Sequence, residues 1–374
     1  MRGMVKDRGK RHRCLIIAGW VISYLLVMFW GVAIVKWQVP PYGAYVWAKH
    51  VLGYPKYLGP FAEVSNRYAF VGPLVEAENQ IDPPVQNTEQ LDERVKKLEM
   101  DVSRFLDAFS SINLLNASFL KPNVFSLNFE IGRNYSTYCY FESGQDKNKN
   151  TAILIIPGSG FNQSGEIMPG GFRNYHDGLF DTAKKYGDVY VYIKPNEDIR
   201  AIHNGRNKLD YDFITNTLIS HGGSYSAYYV VETMAITKYL QKYYRNVVVA
   251  GISQGGTAAL LNGMQSWPNA VICISGGYYP SKSYVAHASP FNIMIPDINN
   301  IVDPDSIPGT IRNHRTKWLF TIGKGETGEF RVLAEENILS KRFQGIEQVN
   351  VKVHGGGHVV PVQVINDYLH DIIR

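Results

Sequence analysis

Cysteine is scarce in this chain. Its 374 residues include three, Cys14, Cys139 and Cys273, and no two stand at the spacing of a metal-ligand pair or of a disulfide framework. Cys139 and Cys273 fall inside apolar strand-like runs, where a thiol serves as a small buried hydrophobe. No metal site is expected. Internal repeats and low-complexity tracts are missing as well. A basic body is missing too, despite a formal net charge of +5. Residues 1–13 carry Arg2, Lys6, Arg8, Lys10, Arg11 and Arg13 against Asp7, and that segment holds the whole surplus. The remainder balances at 32 basic and 32 acidic residues. Nucleic-acid binding needs a basic face on the folded part, so no nucleic-acid partner is expected.

The basic block is instead a topology signal, because an uncharged apolar run follows it over residues 14–35. At ~1.5 Å per residue such a helix is roughly 33 Å long, enough to cross a hydrocarbon core of ~30 Å. Lys and Arg on its N-terminal side hold that end in the cytoplasm and send the rest across. The run is expected to be a retained transmembrane signal anchor. A cleaved secretory signal is the competing reading, with Gly31-Val32-Ala33 as a passable cleavage site. Either way the body of the protein becomes extracytoplasmic, in a periplasm or in an extracellular or lumenal space. Asn116, Asn134 and Asn162 each begin an Asn-x-Ser triplet, glycosylatable in a secretory pathway.

Residues 36–121 read as a stalk and helical accessory region. The Pro-, Gly- and Tyr-rich stretch 36–60 has no period. From 87 to 112, Leu91, Val95, Leu98, Val102, Phe105, Leu106 and Phe109 recur at helical spacing. From 122 to 374 the texture changes. VFSLNFEIG and YSTYCYFES alternate around Arg133-Asn134 and predict two antiparallel strands. Unbroken apolar runs follow at 152–157, 188–195, 246–252, 270–277, 317–323 and 349–355. Continuous Val and Ile runs suit strands buried on both faces. Helical stretches lie between them at 226–244, 256–265 and 333–343, and another closes the chain. The expected fold class is therefore α/β, a mostly parallel sheet flanked by helices. Residues 278–314 form a long connection suited to a lid or a binding loop.

One of these strands runs directly into Gly251-Ile252-Ser253-Gln254-Gly255, and an Ala/Leu-rich helix follows. A sharp strand-to-helix turn exposes and aims a serine hydroxyl, so Ser253 is the expected nucleophile. A base must reach it. His358 lies in the glycine-rich loop after the last strand, where catalytic groups gather at the carboxyl ends of parallel strands; His354, at the strand end, is its rival. A carboxylate must then orient the imidazole. Glu326 follows the strand 317–323, with Glu329 second and Asp303 and Asp305 as outsiders. For the oxyanion, the Gln254 N–H follows the nucleophile at a helix start. A second donor is expected from the Gly158-Ser159-Gly160-Phe161 loop, through Ser159 or Phe161. His176, His203, His221 and His314 are scattered through loops and read as surface residues.

From about residue 124 onward, IIPGSG, GISQGG, the acid after FTIG, and GGGH resemble the α/β-hydrolase superfamily. The closest character is that of its carboxylesterase, dienelactone-hydrolase-like and prolyl-oligopeptidase-like members. Two departures are Pro157-Gly158 where many members have His-Gly, and Glu where Asp is commoner. The resemblance implies a serine hydrolase with no cofactor. With the anchor, the reading is an esterase acting on an extracytoplasmic acyl ester through an acyl-enzyme. A surface-glycan ester is one candidate substrate, because Phe161, Tyr225, Tyr228, Tyr229, Tyr278, Tyr279 and Tyr284 fall near the site loops. The same residues would serve an acyltransferase or a peptidase, and a non-catalytic tethered binding protein is the remaining alternative.

Overall fold

The computed structural model describes residues 19–20, 22–30, 108–121, 123–131, 133–145, 150–160, 163–169, 175–195, 197, 225–277, 306–326, 334 and 337–373. It divides into two compact units, Met1–Lys56 and Tyr57–Arg374. In the first, residues 19–20 and 22–30 are helical, and Trp20, Leu26, Val27 and Phe29 are exposed. No helix among the described residues is long and apolar enough to cross a membrane. The ends of the 14–35 run, the 36–60 stretch and most of 87–112 lie outside them.

The second unit is built on a nine-stranded sheet. Its strands are β1 (Asn113–Lys121), β2 (Val124–Ile131), β3 (Arg133–Glu142), β4 (Thr151–Ile156), β5 (Asp188–Tyr192), β6 (Asn246–Ile252), β7 (Ala270–Ile274), β8 (Lys317–Gly323) and β9 (Val349–His354). They lie in the order β1-β2-β3-β5-β4-β6-β7-β8-β9. The first three and β5 pair antiparallel, and every pairing from β5 to β9 is parallel. The helices are α1 (Ala108–Ser111), α2 (Gln163–Ile167), α3 (Leu179–Lys184), α4 (Tyr225–Tyr243), α5 (Gln254–Ser266), α6 (Ile307–Arg312), α7 (Ile338–Arg342) and α8 (Val362–Ile373).

Side chains alternate across a strand, so a strand covered on both faces must be apolar throughout. All six residues of β4 are buried. Leu154 and Ile156 join a core with α4, α5 and Trp318 on one face of the sheet. Ile153 and Ile155 join a second core with Leu179 and Phe180 of α3 and Ile365 and Leu369 of α8 on the other. Two packed layers on one sheet explain the unbroken Val and Ile runs.

Three expectations need amendment. β1 was not foreseen from sequence; it pairs with β2, so the sheet begins at Asn113, ahead of the boundary at 122. Its edge position leaves Leu115 and Phe119 about half exposed, which blurs the alternation that marks a half-buried strand. The 278–314 connection is not wholly irregular, since α6 occupies Ile307–Arg312 and buries Ile307 and Ile311. Of the helix expected over 333–343, α7 covers Ile338–Arg342 after a turn at Asn337, and residues 333, 335 and 336 lie outside the described ones.

The strand order creates a switch point. From β4 the chain crosses to β5 on one side, then returns to place β6 on the other, so the loops after β4 and β6 diverge and leave a crevice at the carboxyl edge. Because β4 is the centre of both cores, truncating it should be costly. Leu154→Ala is expected to destabilise the fold by about 2–5 kcal/mol, read as a lower urea midpoint at unchanged m-value.

Candidate active site

At the crevice, β6 ends in a residue held in an uncommon conformation. Ser253 has φ 57° and ψ −123°, a region that costs of order 1–3 kcal/mol for a non-glycine residue and persists only where the surroundings enforce it. The enforcement is visible. The Ser253 N–H donates to the Ile274 carbonyl at 2.8 Å, and its own carbonyl accepts from the N–H groups of Gly256 at 2.9 Å and Thr257 at 3.2 Å. A Cβ on Gly251 would overlap the Gly255 carbonyl, and a Cβ on Gly276 would overlap that of Ser253. The turn closes only with glycine at those positions. It hands the chain straight into α5, with the serine at the helix start.

This sheet order, with a strained serine between strand and helix at the switch point, is the α/β-hydrolase fold. No family model and no curated protein matches the chain. Among solved structures there are distant likenesses. Acetyl xylan esterase 1 from Thermoanaerobacterium sp. is 16% identical with a TM-score of 0.40, over 74% of this chain and 92% of its own. An S-formylglutathione hydrolase from Staphylococcus aureus is 12% identical with a TM-score of 0.39, over 70% and 97%. An esterase from Pyrococcus furiosus is 14% identical with a TM-score of 0.39, over 71% and 91%. The assignment of the α/β-hydrolase fold stands on the strand order and the turn at Ser253.

Glu326 and His358 come from neighbouring loops at the same edge. Glu326 lies three residues beyond β8, and His358 four beyond β9. The loops are tied by the Gly325 N–H on the Gly356 carbonyl at 2.8 Å. His358 Nδ1 meets Glu326 Oε2 at 2.9 Å, the carboxylate almost wholly buried and the imidazole about one-third exposed. Donation from Nδ1–H to the carboxylate fixes the tautomer in which Nε2 carries no proton, the form a general base requires. Burial pushes the Glu326 carboxyl up. The hydrogen bond from His358, the Ser275 hydroxyl and the nearby imidazoles outweigh that, so it lies below the ordinary carboxylate value. The Ser253 hydroxyl makes no hydrogen bond to the imidazole among the described residues. In unliganded enzymes such contacts often tighten only with substrate.

His354, the rival base, ends β9. Its Nδ1 accepts the Gly356 N–H at 3.2 Å, and burial, partly offset by Glu326, holds its pKa below the ordinary histidine value. Glu329, Asp303 and Asp305 lie outside the described residues.

The Gln254 N–H opens α5, where the first amides of a helix have no intrahelical acceptor. Beside it stands the Gly158-Ser159-Gly160 loop after β4. A Cβ on Gly255 would overlap the Ile156 carbonyl, so the helix start and the loop abut. Tyr229 Oη donates to the Pro157 carbonyl at 2.7 Å, and Tyr175 Oη donates to the Ser159 carbonyl at 3.0 Å. The Gly158 N–H donates to His176 Nε2 at 3.0 Å. No hydrogen bond occupies the Ser159 N–H among the described residues. Phe161 lies outside them.

Two residues at this site escaped the sequence reading. His176 is not on the surface but 2% exposed. Burial, then the Lys194 and His358 charges, push its pKa down to about 3, which keeps Nε2 available as an acceptor for Gly158. Tyr175 links two site loops: its ring centroid lies 5.4 Å from that of His358, and its carbonyl accepts the Val360 N–H at 3.1 Å. Both sit in an aperiodic segment, so no spacing signal marks them. Conversely, Tyr225, Tyr228 and Tyr229 are buried and offer no aromatic face to a sugar, while Tyr278, Tyr279 and Tyr284 lie outside the described residues. Cys139 and Cys273 are buried thiols, each pushed up in pKa by burial. Among the described residues no cluster of His, Cys, Asp or Glu could hold a metal.

His176 sets a pH dependence. Between its folded value of about 3 and its ordinary 6.5, the unfolded chain binds a proton that the folded chain does not. Stability therefore rises with pH across that window and is lost toward acid. His176→Gln retains an acceptor for Gly158 without titrating. From pH 6.5 to 5 the wild type should lose about 1.6 kcal/mol more than this variant in urea unfolding. Equal losses would contradict a neutral buried His176.

Proposed function

We propose that this protein is a membrane-anchored serine esterase that cleaves an extracytoplasmic acyl ester through an acyl-enzyme on Ser253. The observation that carries the reading is the Glu326–His358 pair, its carboxylate buried, at the same sheet edge as the strained Ser253 turn. His358 Nε2 takes the hydroxyl proton as Ser253 Oγ attacks the ester carbonyl. Glu326 holds the ring and stabilises the imidazolium. The tetrahedral oxyanion is received by the Gln254 and Ser159 N–H groups. Collapse expels the alcohol, which takes the proton from His358, and water then repeats the cycle on the acyl-enzyme. An ester asks less of this machinery than an amide does, because an alkoxide is a far better leaving group than an amide nitrogen.

Anchoring is supported by the basic segment 1–13, the uncharged run 14–35 and the exposed apolar side chains of the helical residues 22–30. A helix apolar all round has its favourable environment in lipid. With the basic end cytoplasmic, the hydrolase unit stands on the other side.

Ser253→Ala should abolish both hydrolysis of short-chain p-nitrophenyl esters and labelling by a fluorophosphonate probe. Glu326→Gln should keep the fold and lower kcat by ~10²- to 10⁴-fold. Full activity in the Ser253→Ala protein would refute the assignment, and full activity in Glu326→Gln would remove the acid from it.

A further inference from the structure

A lysine with no exposed surface lies behind the oxyanion loop. Lys194 is two residues beyond the end of β5 and is 0% exposed. Its Nζ donates to the Gly158 carbonyl at 2.7 Å and to the Gly160 carbonyl at 2.6 Å. Burying a cation is costly unless a counter-charge and hydrogen bonds accompany it. Glu197, also 0% exposed, places Oε1 4.0 Å from Nζ. That carboxylate is itself held by Ser164 of α2, whose hydroxyl donates to Oε2 at 2.9 Å and whose N–H donates to Oε1 at 3.3 Å. Ser164 is fully buried, and α2 is the helix into which the loop leads.

We propose that Lys194, braced by Glu197 and Ser164, is the positioning residue that turns the Ser159 N–H toward the reacting carbonyl. The proposal rests on the serine-hydrolase reading above. In a trans peptide the C=O and N–H point in opposite directions. Fixing the Gly158 oxygen on Lys194 therefore points the Ser159 N–H away from Lys194. The strand order says where that is: β4 lies between β5, which leads to Lys194, and β6, which leads to Ser253. An amide turned from the β5 side is turned toward the serine. The second bond, to Gly160, pins the far end of the same turn and prevents the Gly158–Ser159 peptide from flipping. A glycine loop has almost no intrinsic preference for one orientation, and Gly160, at φ 115°, could not be held by side-chain sterics. The preorganisation that makes an oxyanion hole effective must come from outside the loop.

The test uses the full-length chain, detergent-solubilised, with matched oxoester and thionoester substrates. Sulfur accepts hydrogen bonds weakly, so the oxoester preference reports on the oxyanion donors and not on the nucleophile or base. In Lys194→Met, kcat for the oxoester should fall about 100-fold with KM within about twofold. The oxoester-to-thionoester ratio should fall with it. Equal losses on both substrates, or activity within about twofold of wild type, would overturn the positioning role. If Lys194→Met does not fold, Ser164→Ala carries the test: the same ratio should fall by about three- to tenfold, and an unchanged ratio overturns the proposal. Wild-type protein that fails to label with a fluorophosphonate would instead sink the hydrolase reading, and this inference with it.

Discussion

The site depends on a turn that the backbone would not adopt alone. Ser253 is held at positive φ because the sheet leaves it no alternative. Its N–H is drawn to β7, its carbonyl is capped by the first turn of α5, and Gly251 and Gly276 allow main chain to pass where a Cβ would collide. The cost of the conformation, of order 1–3 kcal/mol, is offset by the packing of two cores that fix β6 and α5. A serine raised on such a turn faces outward at the carboxyl edge, clear of both cores. Glu326 and His358 are brought together by the register of the neighbouring strands β8 and β9.

That dependence explains why the parts differ in how they are held. Glu326 and His358 are carried by the adjacent strands β8 and β9, whose pairing continues from Trp318–Val349 to Gly323–His354 before their loops are tied by Gly325 and Gly356. Their meeting is the next step of a parallel ladder. The Gly158-Ser159-Gly160 loop has no such ladder, since it projects past β4 into the crevice. It is secured instead by four side chains from three directions: Tyr229 of α4, Tyr175 and His176 from the segment before α3, and Lys194 beyond β5. Polar groups buried so densely must be mutually satisfied. This cluster is the region of the molecule where substitutions that preserve size but not hydrogen bonding should be least tolerated.

The division between what the sequence discloses and what it hides follows the same line. β4 through β8 are legible because burial on both faces demands unbroken apolar runs, and β9, an edge strand of alternating exposure, shows through its evenly spaced valines. Ser253, Glu326 and His358 stand out as candidates because each lies just past one of these strands. β1 is not, because an edge strand with Leu115 and Phe119 partly exposed carries a diluted pattern. His176, Lys194 and Glu197 are not, because a buried polar residue in an aperiodic segment has the sequence appearance of a solvated one. Only a partner distinguishes them, and partners such as Gly158 and Lys194 are 36 residues apart. Aromatic residues mislead in the opposite direction: Tyr225 and Tyr229 lie near the site in sequence but fill the core beneath it.

The contrast between Lys194 and the surface charges shows why these hidden residues bear on function. A solvated lysine can be lost with little effect on stability. A lysine without exposure, neutralised by Glu197 and spanning two carbonyls of one glycine turn, is retained at an electrostatic cost that a hydrophobic side chain would avoid. An apolar residue could fill the same volume. It could not hold two carbonyls on one side of a flexible loop, and so could not dictate which way the intervening amide faces. The cost of the burial is thus localised where direction, not volume, is required, next to the Gly158–Ser159 peptide.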